Sequence, residues 1–283
     1  MNIGLVLAGG MAKGAYQIGV LKAIESFVPR DMIRYISCAS VGVLNGYAYA
    51  TGRLEQGEAM WRDLCTNGNS MLITKVLRSN LLQSYIGNLY QPDLSLPCTF
   101  YASLMDLEHR NIVYKDLSGV PKDQIPLYLK ASVAMPVYNR SVEIEDAAYY
   151  DGAVIDNIPV YPLLKHNLDY IICVYFDENC SKFESVEVDN RIIKVTFPGD
   201  GVLKRSVVFS EESIDAMIRE GYDRTVFLLS SVFAKGTNNL DHIYRMIQVI
   251  NHNNKSTSFR ITGDVLVTNV NRIVQKLAKK KIL

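Results

Sequence analysis

The sequence predicts an α/β protein with three layers, α/β/α, around a mostly parallel central sheet. The chain opens on an unbroken apolar run, residues 3–8 (IGLVLA), closed by Gly9 and Gly10. Runs without polar alternation belong to strands buried on both faces. Helical spacing follows from Lys13, and a second strand, tight turn and helix come before residue 50. Strands alternating with helices in this way form parallel sheets with helices on their faces.

The elements follow in order. Ala15, Ile18, Leu21, Ala23 and Ile24 share one broad helical face, and Pro29 ends that helix. Residues 35–38 read as a second strand, 41–49 as a second helix and 54–64 as a third. Residues 71–90 are apolar but interrupted by Lys75 and Arg78. They suit either a helix pair buried on the sheet or a lid that docks on lipid, the buried pair being the simpler reading. Residues 99–106 and 111–114 read as strands around the turn 107–110. A helix is expected over 124–133, stopped before Pro136. A short strand, 148–150, should lead into Asp151-Gly152. Residues 170–176 (YIICVYF) and 191–197 read as strands, and 211–229 as a long helix. The tail from Leu240 reads as two helical pieces. With no repeat, linker or low-complexity segment, one domain is expected over 1–283, its core about 1–225 and the helices of 226–283 packed on it.

Bulk properties narrow the function. Formal net charge is +1 over 283 residues, so no global field attracts nucleic acid, and nucleic-acid binding is not expected. The five cysteines, Cys38, Cys65, Cys98, Cys173 and Cys180, contain no CxxC pair and suggest neither a zinc site nor a disulfide framework. Reduced thiols point to a cytoplasmic protein. The first ten residues lack the basic start of a signal peptide, and no stretch reaches the length of a membrane span. No metal, nucleotide or redox cofactor is expected. The basic, amphipathic end 276–283 reads as a solvated helix, or as a surface for transient contact with anionic lipid.

Three segments carry chemistry. Gly9-Gly10-Met11-Ala12-Lys13-Gly14 joins the first strand to the first helix. Such a turn can aim backbone N–H groups at a phosphate or an oxyanion. It is neither G-x-G-x-x-G nor a P-loop. Alone it is as well explained as a plain tight turn. Ser37-Cys38-Ala39-Ser40-Val41-Gly42 has the shape of the nucleophile elbow G-x-S-x-G, with Cys38 at the first glycine position. A lone serine there is more often a helix cap than a nucleophile. Tyr150-Asp151-Gly152-Ala153, followed by Asn157-Ile158-Pro159, places a carboxylate on a glycine turn. Alone, Asp-Gly is usually only a turn.

Together and in this order, the segments resemble the patatin-like phospholipases. Members carry a glycine-rich turn ending in Lys/Arg-Gly, then G-x-S-x-G, then Asp-Gly-Gly or Asp-Gly-Ala. The runs AYQIGVL at 15–21, ASVGVLNG at 39–46 and ASVAMP at 131–136 extend the resemblance, and it is clear to about residue 225. It implies a patatin-like fold, a lipid or acyl-ester substrate and a catalytic dyad. Ser40 is then the nucleophile and Asp151 its base, with Gly9, Gly10 and Met11 forming the oxyanion hole. None of the four histidines lies in these segments, so no Ser-His-Asp triad suggests itself. Cys38, inside a strand, should be buried and inert.

Met11 and Cys38 depart from the family pattern, and they motivate a second reading: a catalytically weakened lipid-binding or regulatory protein. A phosphate- or nucleotide-binding domain is a third reading, weakened by the missing ribose carboxylate and P-loop lysine pattern.

Overall fold

The structure, a computed structural model, describes residues 1–64, 71–72, 81–136, 138–176, 182–197, 208–253 and 259–280. The chain begins with β1 (Ile3–Leu7), α1 (Gly14–Phe27), β2 (Ile33–Cys38), α2 (Val41–Ala50) and α3 (Leu54–Asp63). It continues with β3 (Met71–Leu72), α4 (Leu81–Leu89), β4 (Thr99–Asp106), β5 (Asn111–Asp116), α5 (Ile125–Ser132), β6 (Val142–Ile144) and β7 (Ala147–Asp151). Then come α6 (Tyr161–Leu164), β8 (Tyr170–Tyr175), β9 (Lys182–Phe183), α7 (Val186–Asp189), β10 (Ile192–Thr196) and β11 (Val208–Phe209). The final elements are α8 (Glu211–Val232), α9 (Leu240–Asn253), β12 (Phe259–Arg260) and α10 (Thr262–Lys280).

β1 is buried at every position. Its side chains alternate between two cores, Ile3, Leu5 and Leu7 in one and Val6 in the other. Both faces of the sheet are therefore covered, as the missing polar alternation requires. α1, α2, α3 and α8 pack into the first core through Ile18, Leu44, Trp61 and Met217. Leu163 of α6 lies in the second. α1 and α8 approach closely: a Cβ on Gly19 would strike the Ile218 carbonyl, and one on Gly221 the Tyr16 carbonyl.

The strands run β10-β8-β1-β2-β4 side by side, each neighbouring pair parallel. The sheet continues antiparallel through β7 and β6, and β5 also pairs antiparallel with β4. The mostly parallel expectation thus describes five strands, and the remainder is hairpin. β6, three residues long, is too short to leave an alternation signal in the sequence. Elsewhere the predicted boundaries move by one to three residues. Asp151 proves to be the last residue of β7 rather than the residue after it.

Two placements matter for the site. β1 has β2 on one side and β8 on the other, so the chain leaves it in both directions. The carboxyl end of such a strand is where open α/β sheets build their ligand sites. β4 then acts as a ruler. Its residues 101–102 pair with both β2 and β5, and its residues 104–106 with both β5 and β7. β2 and β7 therefore lie end to end along the same edge of β4. Cys38 stands opposite Ala102 and Asp151 opposite Leu104. Two strand residues span about 7 Å, so the end of β2 and the end of β7 meet.

Of the apolar stretch 71–90, residues 71–72 form a strand paired with β11 and 81–89 form α4, while 73–80 lie outside the described residues. Cys65, Cys180 and residues 281–283 also lie outside them. Among the described residues no helix is long and apolar enough to cross a membrane, and no cluster of His, Cys, Asp or Glu could hold a metal ion.

Candidate active site

Ser40 sits between β2 and α2 with φ 54° and ψ −134°. That backbone conformation is costly for an L-residue, of order ~1–3 kcal/mol, and persists only where the surroundings impose it. Here the Ala39 N–H donates to the Leu7 carbonyl at 3.0 Å, and the Val43 N–H to the Ser40 carbonyl at 2.9 Å. Gly42 lets α2 pass over the end of β1: a Cβ there would lie 2.5 Å from the Leu7 carbonyl oxygen. The result is a sharp elbow that points the hydroxyl off the strand end, ahead of the positive end of α2. The residue is 7% exposed.

Asp151 is fully buried. Its N–H donates to the Ala134 carbonyl at 2.9 Å, and its Oδ1 accepts the Ala153 N–H at 2.9 Å. Gly152 brings this turn onto β4, where a Cβ would lie 2.5 Å from the Ser103 carbonyl carbon. Burial pushes the carboxyl up from 3.8 to about 7, against a lowering by the Ser40 hydroxyl and the Ala153 N–H. Its Oδ2 is buried and makes no hydrogen bond.

The glycine turn closes the site. A Cβ on Gly9 would lie 2.9 Å from the Ser40 Cβ and closer still to Asn157 Oδ1. Asn157 clamps this turn from both sides: Gly9 N–H donates to its carbonyl at 3.1 Å, and its Nδ2 donates to the Gly9 carbonyl at 3.0 Å. The Gly9 N–H is therefore already engaged. Among the described residues the N–H groups of Gly10 and Met11 make no such bond. Met11 takes the left-handed φ of 51° and its side chain is exposed. The Lys13 N–H closes the turn onto the Gly10 carbonyl at 3.0 Å.

Beneath the turn runs a buried polar chain that the motifs did not announce. The Trp61 indole donates to Asn45 Oδ1 at 2.9 Å. Asn45 Nδ2 donates to Gln17 Oε1 and to the Gly14 carbonyl, both at 2.9 Å. Gln17 Nε2 donates to the Ala8 carbonyl at 2.7 Å. The available signal is the polar Gln17 among apolar residues 15–20 and Asn45 among apolar residues 41–50. Cys38 is buried in β2 as expected, and burial holds its thiol well above the usual range, so it stays protonated. Gly46 makes room for it: a Cβ there would lie 2.6 Å from Cys38 Sγ.

The family model of the patatin-like phospholipases matches residues 5–164, a span that holds the glycine turn, Ser40 and Asp151. The chain belongs to the patatin-like phospholipase family. An uncharacterised NTE family protein of Mycobacterium bovis is 25% identical over 182 residues, 61% of this chain and 48% of that protein. The lysophospholipase NTE1 of Cryptococcus neoformans is 26% identical over 189 residues, 61% of this chain and 11% of that protein. The chain thus spans about half the mycobacterial relative and a small part of the fungal one. Among solved structures, VipD from Legionella pneumophila superposes with TM-score 0.51 at 13% identity, covering 88% of this chain and 74% of that one. That likeness bears on the fold. In this patatin-like chain, the three segments singled out in the sequence lie within the matched span and meet at the carboxyl end of β1.

Proposed function

We propose that this chain is a serine acyl hydrolase that cleaves carboxylic ester bonds of lipids. The observation that carries the reading is one pairing: a strained, buried serine beside a buried carboxyl whose acidity is shifted to about 7. An ordinary carboxylate, near ~3.9, is a poor base, and one tuned towards neutrality is a far better one.

Ser40 Oγ attacks the ester carbonyl carbon while its proton passes to Asp151. The tetrahedral oxyanion is met by the Gly10 and Met11 N–H groups, and Gly9 contributes room rather than a donor. Collapse expels the alcohol, which leaves with the proton from Asp151, and the acyl group stays on Ser40. Water then attacks, its proton taken by Asp151, and the fatty acid is released as Ser40 regains its hydrogen.

Met11 keeps the left-handed backbone a glycine would adopt, and Gly46 relieves Cys38. Both support retained catalysis over a weakened lipid-binding protein. The substrate class is drawn from the family and from the fungal relative's name as a lysophospholipase. It covers phospholipase A, lysophospholipase and simple esterase chemistry. Transient membrane contact and a cytoplasmic location belong to the same proposal. They are supported by the exposed Met11 side chain on the glycine turn, and by Cys38, Cys98 and Cys173, which form no disulfide.

The test is labelling by a fluorophosphonate, which should modify Ser40, together with hydrolysis of short p-nitrophenyl esters. Ser40→Ala and Asp151→Asn should each abolish turnover. Robust hydrolysis by purified Ser40→Ala protein would overturn the proposal.

A further inference from the structure

Building on that dyad, we propose that Arg260 in the C-terminal segment is a positioning residue for catalysis, acting through Asp156 on the loop that carries Asp151. Asp156 is fully buried. Its Oδ1 accepts Arg260 Nη2 at 2.8 Å and the Ile158 N–H at 3.2 Å, and its Oδ2 accepts the Tyr114 hydroxyl at 2.6 Å. Arg260 Nη1 reaches on to the Ile158 carbonyl at 3.2 Å. From α10, Asn269 Nδ2 donates to the Ile155 carbonyl at 2.7 Å. The C-terminal segment thus holds the loop at Ile155, Asp156 and Ile158.

The same loop has two duties at the site. Asp151 stands at its start, its carboxyl bonded to Ala153. Asn157 stands near its end and clamps Gly9 from both sides. Between them the loop has a single short 3₁₀ turn, Gly152–Val154, and no sheet ladder to stiffen it. A buried carboxylate without a counter-charge is costly and would force the loop open. Arg260 supplies that charge, and its planar fork fixes the carboxylate and a carbonyl together. A displacement near 1 Å at a reacting group costs on the order of 100-fold in rate, so a loosened loop should be visible in kcat. Residues 259–280 lie beyond the matched family span of 5–164, so this support is an addition to the shared motif set.

The experiment uses the full chain with Arg260→Ala, Arg260→Lys and Asn269→Ala. Arg260→Ala should slow fluorophosphonate labelling of Ser40 and lower kcat on a short ester by about 10- to 100-fold, with KM little changed. Arg260→Lys should recover part of the loss, because it keeps the charge and forfeits the carbonyl contact. Hydrogen exchange should accelerate in 152–158 and at Gly9–Met11, while β1 and β8 stay protected. If Arg260→Ala does not fold, Arg260→Lys and Asn269→Ala carry the same comparison, since each keeps a charge beside Asp156.

Unchanged labelling with unchanged exchange would overturn the proposal. So would a uniform rise in exchange across β1 and β8, equal for Ala and Lys, which marks general destabilisation. Failure of the dyad reading is separable: Ser40→Ala would then retain hydrolysis, while the exchange coupling between 152–158 and the glycine turn is still measured directly.

Discussion

The base that makes the proposed chemistry work should also weaken the fold, and Asp151→Asn exposes that cost. Burial raises the Asp151 carboxyl from 3.8 to about 7. Below pH 3.8 the group is protonated in both folded and unfolded chains and costs nothing. Between 3.8 and about 7 the unfolded chain releases the proton and the folded chain holds it, so stability falls by ~1.4 kcal/mol for each pH step. Above about 7 both states are ionised and the loss is complete, about 4 kcal/mol in all. Asparagine keeps an oxygen for the Ala153 N–H and never ionises. The stability difference between Asp151→Asn and the natural chain, from urea unfolding at pH 4 to 9, should therefore climb by about 4 kcal/mol in favour of the variant, most of it by pH 7. Esterase activity of the natural chain should rise over the same range with a midpoint near 7, because only the ionised carboxyl accepts the serine proton. A stability difference independent of pH would refute the reasoning, because it would mean that the carboxyl ionises as easily inside the fold as outside.

Three further outcomes follow from the geometry. Gly9→Ala places a methyl group against Ser40 Cβ and Asn157, so labelling of Ser40 by a fluorophosphonate should fall at least ~100-fold; labelling at the natural rate would place the turn elsewhere. Met11→Gly removes the left-handed strain at φ 51° and should raise stability by about 1 kcal/mol in urea unfolding, with activity retained because the donor is backbone. Trp61→Phe leaves Asn45 Oδ1 buried without its donor and should cost about 1–3 kcal/mol in the same measurement. Because Gln17 then holds the Ala8 carbonyl less firmly, kcat should drop as well.

The parallel strands and their helices were legible because each is a local pattern. An apolar run such as 3–8 has one stable use, and helical spacing after Lys13 is a second local signal. The segments around Ser40, Asp151 and the glycine turn stood out only in combination, since each alone reads as an ordinary turn or cap and their order is what resembles the family. β7 was expected as the strand 148–150, but its hairpin partner β6 left no trace, since three residues carry no period. Gln17 and Asn45 left a polar mark among apolar neighbours but not their link to Trp61, and the Arg260–Asp156 pair was silent. Each joins residues from separate elements, and no residue in either pair signals its partner.

The sequence by itself determined the class of fold and marked the segments proposed to carry the chemistry, because periodicity and turn chemistry are properties of short segments. Only the tertiary structure decided that β2 and β7 end against one edge of β4, which brings a serine and an aspartate 111 positions apart within reach. It also decided the acidity of Asp151, since desolvation depends on what surrounds a carboxyl and not on what precedes it in the chain.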